Sequence, residues 1–194
     1  PSTADTDFIT QIGMKMTIPG EFETMTWYGR GSVDGQHDSY EDRKAGEPMG
    51  VYPANVSDRF VEYINSQECG NTTDVKWASF TDENGVGLMA VGDDIDVKAL
   101  HYTMDQLDTR TNPANLTANE NITLEVNMQQ MGVGGYDPGY QQWLCEDKYI
   151  LDTGVEYTYA YTLMPINGET IEERTAKSKE VVRDSVNIDI EGIE

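Results

Sequence analysis

The feature that most limits what this chain can fold into is its period of two. In "VEYTYAYTLMP", Val155, Tyr157, Tyr159, Tyr161 and Leu163 alternate with Glu156, Thr158, Ala160 and Thr162. Successive side chains of an extended backbone point to opposite faces, so this pattern predicts a half-buried strand with an aromatic face. "NITLEVNMQ" repeats it with Ile122, Leu124, Val126 and Met128, and "GMKMTIPG" with Met14, Met16 and Ile18. "DVKWASFT" places Val75, Trp77 and Ser79 on one face, and "NGVGLMAVGDD" reads as the next strand. Asn84-Gly85 predicts the hairpin turn between these two, since both residues tolerate positive φ. No amphipathic helical spacing occurs before residue 170. The expectation is an all-β chain with antiparallel sheets packed face to face.

The character changes near the end. Residues 169–185, "ETIEERTAKSKEVVRDS", are charged and lack turn residues, so they read as a polar helix or as a linker. "VNIDIEG" after them carries a short strand pattern. The chain therefore divides into a β unit over 1–166 and a charged tail over 167–194. The opening "PSTADTDF" has no charged n-region or apolar core, and it reads as a cut inside a longer chain rather than as a signal peptide.

Charge narrows the possible partners. With 35 acidic and 13 basic residues the net charge is −22, which repels nucleic acid and anionic membrane surfaces. No apolar run approaches the ~18 residues of a membrane helix. Cys69 and Cys145 stand in no metal-type spacing; free thiols are expected, with a single bridge left open. N-x-[ST] triplets at Asn55, Asn71, Asn115 and Asn121 are expected by chance in a chain rich in Asn and Thr.

One stretch stands out chemically: "MGVGGYDPGYQQW", residues 131–143. It is not a phosphate loop. No Lys-Ser/Thr follows, and Pro138 and Gly139 stand where a helix would have to begin. It is either a turn between strands or a sugar-binding loop, because Tyr136, Tyr140 and Trp143 offer aromatic faces to the apolar face of a pyranose. Nucleophilic catalysis has little support: there is no G-x-S-x-G, and His37 and His101 are the only histidines. "GDDID" (Asp93, Asp94, Asp96) offers hard oxygens but not the spacing of a calcium loop, and reads as a solvated turn.

Several segments in order, "TWYGRG" (26–31), "YEDRKAGEPMGVY" (40–52), "QECGNTTDVKW" (67–77), "HYT" (101–103) and "MGVGG" (131–135), carry a resemblance. Over about residues 10–166 the chain resembles the C-terminal small-chain domain of β-galactosidases of glycoside hydrolase family two. The resemblance implies a large antiparallel β-supersandwich, related to galactose-mutarotase-like proteins, of which this chain is the later part. Strands supplied from upstream would then leave open sheet edges here.

The resemblance further implies a parent that hydrolyses terminal β-D-galactosides with retention, through two glutamates in an upstream barrel outside this chain. No catalytic residue and no cofactor are expected in this chain; a divalent metal would belong to the parent's catalytic domain. The implied partners are the β-galactoside, the upstream domains and, for the full-length protein, further copies of itself. Bacterial cytoplasm or periplasm is the implied compartment.

In that family one loop of this domain reaches the substrate and reads like G-G-D-D-S-W. Here it reads "GGYDPGY". Asp137 keeps the acidic position, and Gly139 falls where the tryptophan belongs. Three alternatives follow: Tyr140 stacks on sugar, Trp143 does, or no residue of this chain does. Ser32 replaces a proline after W-Y-G-R-G, and the polar stretch that follows is longer than in the family. Arg30, Asp42 and Arg43 are expected to form charge-assisted pairs that hold loops near the pocket, and His101 to be a hydrogen-bonded supporting residue. Trp27 and Tyr28 are expected in the core, and Gln67, Glu68 and Asn71 in a turn-rich stretch that satisfies backbone groups. The alternative reading is a non-catalytic carbohydrate-binding or structural β-module.

Overall fold

A computed structural model describes residues 8–31, 39–42, 44–133 and 145–181. The strands are β1 (Phe8–Ile9), β2 (Gln11–Ile18), β3 (Thr24–Arg30), β4 (Met49–Asn55), β5 (Asn71–Thr81), β6 (Val86–Leu100), β7 (Ile122–Gln130), β8 (Leu151–Asp152) and β9 (Tyr161–Asn167). Two α-helices, α1 (Met104–Leu107) and α2 (Ile171–Glu180), and four short 3-10 turns complete the regular structure among the described residues. The main sheet runs β2-β7-β6-β5-β3-β4, with β9 also paired to β6, while β1 and β8 form a separate ribbon. All pairings are antiparallel, so the fold is all-β as the alternation predicts.

The long β5–β6 hairpin organises the rest. Its turn is wider than the expected two-residue form. Asp82 Oδ1 accepts from the N–H groups of Asn84 (2.9 Å) and Val86 (2.8 Å). Gly85, not Asn84, takes the left-handed conformation, with φ 78°.

Midway, the hairpin register breaks between Thr72 and Val75 and again between Val75 and Trp77. Asp74 on β5 (φ 53°) and Asp94 on β6 (φ 56°) sit in the left-handed region, which short Asp side chains tolerate better than most. An extra residue in a strand reverses which face the following side chains occupy. Val75 therefore packs with Ala78 and Phe80, whereas Trp77 joins Met89, Val91 and Ile166 on the opposite face. The expectation that Val75 and Trp77 share a face is corrected by these bulges. On β6 the same core takes Ala90 before the bulge and Ile95, Val97 and Ala99 after it.

The two bulges bend the sheet into halves. Residues Val86–Gly92 of β6 pair with β9, and Asp96–Leu100 pair with β7. Both halves line one core, with Met25, Trp27 and Phe80 from the first and Val97, Leu124 and Val126 from the second. Trp27 is fully buried at its centre. Its Nε1–H donates to the Arg30 carbonyl (2.9 Å), and the Arg59 guanidinium lies 5.2 Å from the ring centroid.

The strand expected from Val155 begins only at Tyr161. Gly92 pairs with Tyr161 just before β6 bends, so residues 155–160 have no ladder to join. Tyr159 packs on the core all the same, its hydroxyl reaching the Val126 carbonyl at 3.4 Å. Within the charged tail, residues 171–180 form a helix rather than a linker. Thr170 and Glu173 close a capping box at its start. Arg174 then donates to Ser79 Oγ (2.9 Å), docking α2 over the Trp77 face, where Val181 also packs. "VNIDIEG" lies outside the described residues.

Candidate functional site

On the second half of the sheet the face away from the core is polar, yet it is buried. β6 presents Asp96 and Lys98, β7 presents Glu125 and Asn127, and β5 presents Asn71; each is at most 2% exposed. Lys98 Nζ lies 2.8 Å from Glu125 and 2.5 Å from Glu68. Burial pulls the Lys98 ammonium toward neutrality, but these two carboxylates outweigh it and raise its pKa. Gln11 donates to Glu125 (2.6 Å) and to Asn127 (3.1 Å).

Asp96 is the exceptional group. Desolvation, reinforced by the charge of Glu41, pushes its carboxyl up to about 8. Hydrogen bonds from Asn71 Nδ2 (3.2 Å) and the Gln130 N–H (3.0 Å), together with the charge of Lys44, oppose this but do not reverse it. "GDDID" is thus not wholly a solvated turn. Asp93 and Asp94 are exposed and pair with Lys76, but Asp96 is buried.

Arg30 stands where the sequence reading expects a loop-holding pair. Its Nε lies 2.6 Å from Asp74, and its Nη1 donates to the Glu47 carbonyl (2.8 Å). Lys44 joins the same carboxylate at 2.8 Å. Burial would raise Asp74, but Lys44 and Arg30 hold it below the usual carboxylate range. The bulge residue of β5 is thereby tied to the 39–48 segment.

These anchors converge on the end of β7. Four consecutive N–H groups are each held by a different segment. Gln130 donates to Asp96 Oδ2 (3.0 Å), Met131 to the Thr10 carbonyl (2.9 Å), Gly132 to the Tyr149 carbonyl (3.1 Å) and Val133 to Asp42 Oδ1 (3.3 Å). Gly132 also lies hard against Cys145, where a Cβ would come within 2.9 Å of that residue's Cβ and Sγ. Residues 132 and 145 bracket the glycine- and aromatic-rich stretch, so its two ends are fixed next to each other.

Beside this base lies a cleft of about 590 Å³, lined in part by Tyr40, Tyr63, Gln67, Glu68, Arg110 and Val133. Three motif segments read from the sequence meet in it: "YEDRK" through Tyr40, "QECGN" through Gln67 and Glu68, and "MGVGG" through Val133.

Asp137, Tyr140, Trp143 and Arg43 lie outside the described residues. His101 is hydrogen-bonded as expected: Nδ1 meets the Asn119 carbonyl (2.9 Å) and Nε2 meets Glu23 (2.8 Å). Burial would raise Glu23, but hydrogen bonds from His101 and Ser57 hold it below the ordinary value. His101 lines a second hollow of about 360 Å³ with Phe60 and Ala118, so the structure does not bring it to the cleft. Asn71 donates to the Ser39 carbonyl (2.8 Å) and is fully buried, which closes its N-x-T triplet to glycan attachment in the folded chain. Cys69 and Cys145 are both buried and form no disulfide. Among the described residues no group of three or more His, Cys, Asp or Glu is placed to hold a metal ion, and no helix is long and apolar enough to cross a membrane.

Sequence reasoning missed the buried Asp96–Lys98–Glu125 cluster and the contribution of Tyr63 and Arg110. The only available signal was charge on the outer positions of two otherwise apolar strands, and such positions ordinarily face solvent.

Residues 2–163 match the family model described as the β-galactosidase small chain, and the chain belongs to that family. It is 36% identical over 159 residues to a β-galactosidase of Priestia megaterium, covering 81% of this chain and 15% of that protein. It is 31% identical over 138 residues to a β-galactosidase of Lactobacillus delbrueckii subsp. bulgaricus, covering 71% and 13%. With the enzyme of Halalkalibacterium halodurans it shares 27% over 157 residues, covering 78% and 15%. The chain thus spans about one seventh of the length of these relatives.

Proposed function

We propose that this chain forms the later part of the C-terminal β-domain of a retaining β-galactosidase. In this reading it borders the sugar pocket and supports assembly, while the catalytic glutamates and any divalent metal reside upstream. The observation that carries it is the meeting of three motif segments in one cleft, at the anchored base of the 134–144 stretch. Asp137, Tyr140 and Trp143 are the residues assigned to substrate, with Tyr140 favoured for stacking in place of the family's tryptophan. Arg30 supports them by fixing the bulge at Asp74, and His101 by tying the chain at residue 101 to Glu23.

Assembly has its own support. β4 and β2 end the sheet with no further strand paired to them among the described residues. They carry Met49 (40% exposed), Val51 (38%) and Met14 (53%). Such edges are suited to strands from upstream and to the supersandwich expected of a galactose-mutarotase-like domain. A further copy of the protein is another partner for them. In this reading the compartment is bacterial cytoplasm or periplasm.

The test is hydrolysis of a nitrophenyl β-galactoside by the isolated chain and by the full-length protein. Activity in the full-length protein alone is expected. Activity in neither, with galactose binding by the chain, would replace this reading with a non-catalytic carbohydrate-binding module.

A further inference from the structure

We propose that Asp96 is a proton-operated latch. Protonated, it lets the 39–48 segment lie against the buried polar face of β6; ionised, it drives that segment off and frees Val133 at the end of β7. The latch goes beyond the reading above and does not depend on what the 134–144 stretch contacts.

The contacts around Asp96 differ from those of its neighbours. Each neighbouring carboxylate has a cation against it. Glu68 and Glu125 share Lys98, at 2.5 and 2.8 Å, and Glu41 and Asp74 share Lys44, at 3.0 and 2.8 Å. Asp96 makes no ion pair among the described residues. Its Oδ2 accepts only from neutral donors, Asn71 Nδ2 (3.2 Å) and the Gln130 N–H (3.0 Å). Asn71 and Gln130 also each carry a buried side-chain oxygen with no hydrogen-bond partner. An ionised carboxylate can only accept, whereas a protonated one brings an O–H donor to surroundings that have acceptors to spare.

The charged groups come from three elements. The 39–48 segment brings Glu41 and Lys44, β6 brings Lys98, and β7 brings Glu125, which pairs with Lys98. β5 and β7 add the amides Asn71 and Asn127, and β2 adds Gln11. Burial and Glu41 favour the protonated acid, and Lys44 opposes them. Once the proton is lost, Asp96 and Glu41 are like charges in a region sheltered from water, where repulsion is strong. Asp96 is fixed in a strand paired on both sides, so the 39–48 segment is the part that gives. Among the described residues, positions 39–48 pair with no strand. Discrete bonds hold them: the Ser39 N–H on the Asn71 carbonyl (2.9 Å), Asn71 Nδ2 on the Ser39 carbonyl (2.8 Å) and Arg30 Nη1 on the Glu47 carbonyl (2.8 Å). Asp42 rides on this segment and accepts from the Val133 N–H (3.3 Å), so its departure releases Val133. The Gln130 N–H stays on the charged Asp96.

The closed state keeps the proton up to about pH 8, and the open, solvated state only up to the ordinary 3.8. Between these values the closed state binds more protons, so rising pH promotes opening, by at most about tenfold per pH unit, and the effect levels off once both states are ionised.

The experiment is amide hydrogen exchange of the full-length protein from about pH 5.5 to 9, each rate divided by its intrinsic chemical rate, with Asp96→Asn and Glu41→Gln as variants. It reads Ser39 and Val133, with Trp27 in β3 as the reference for global unfolding. In wild type, opening at Ser39 and Val133 is expected to exceed that at Trp27 throughout, to rise several-fold per pH unit and to level off near pH 8. Asp96→Asn should flatten the profile, and Glu41→Gln should move the levelling-off to lower pH. A flat wild-type profile, or a rise that survives in Asp96→Asn, would overturn the latch. So would opening at Ser39 and Val133 no greater than at Trp27, since the pH effect would then belong to global unfolding alone.

Discussion

Replacing Asp96 with Asn should make the chain more stable, and by more as the pH rises. The native carboxyl keeps its proton to about pH 8 because it is 1% exposed and faces Glu41. In the unfolded chain it ionises near the ordinary 3.8. Between those values the folded state binds more protons than the unfolded state, so rising pH costs stability, and above pH 8 the full cost is present. At about 1.4 kcal/mol for each pH unit between the two values, the ceiling is about 6 kcal/mol. Relaxation around the charge makes roughly 2–5 kcal/mol the expected range.

Asn has nearly the same shape, cannot ionise, and its carbonyl can accept from both Asn71 Nδ2 and the Gln130 N–H. The assay is urea unfolding of wild type and Asp96→Asn at about pH 4, 7 and 9, with circular dichroism as the signal. The stability difference should be small at the acid end, grow through neutrality and level off at the alkaline end. A variant less stable than wild type at the alkaline end would refute the reasoning. It would mean that Lys44, Asn71 and the Gln130 amide stabilise an ionised Asp96 more than burial penalises it.

Other perturbations test neighbouring parts. Lys98→Met should destabilise the chain by about 3–5 kcal/mol in the same unfolding assay, because it leaves Glu125 buried (2% exposed) without its cation. Gly132→Ala puts a Cβ 2.9 Å from Cys145, so it should force the two ends of the 134–144 stretch apart. Faster modification of Cys145 by a thiol reagent would register that movement, and an unchanged rate would speak against it. Tyr140→Ala in the full-length protein should lower kcat/KM on a nitrophenyl β-galactoside at least about tenfold if this ring stacks on galactose. An effect confined to Trp143→Ala would transfer the role.

Much of the fold was legible because burial obeys the strand period. Ile122, Leu124 and Val126 face one core as their alternation predicts, and Met16 and Ile18 follow. Trp27 was legible as core and His101 as a hydrogen-bonded residue. The reading failed where the backbone departs from extended geometry. Asp74 and Asp94 take positive φ beside the two register breaks of the hairpin, and a period counted through a break puts the side chains on its far side on the wrong face. An Asp in the middle of an apolar alternation is the signal that could have warned of this, since it is among the residue types that tolerate that conformation. Val155–Ala160 failed for a different reason. Their alternation is real and Tyr159 does pack inward, but a strand also needs a neighbour with free backbone groups, and β6 turns away at the bulge.

The candidate site was the least legible part because it depends on what covers a sheet face rather than on the strands themselves. Asp96, Lys98, Glu125 and Asn127 occupy outward positions, where charged and polar residues normally mark solvent. What buries them comes from segments far apart in sequence: the 39–48 stretch fixed by Arg30 and Lys44 on Asp74, Gln11 at the edge of the sheet, and the 60–70 segment joined to Thr111 through Ser66. Covering a polar face costs solvation, and the network recovers it through partners that only this arrangement provides. The same contacts hold Gln130 to Val133 in one place and fix the walls of the cleft. A polar sheet face thus becomes a support for loops, and motif residues that the sequence scatters from Tyr40 to Val133 line a single cleft.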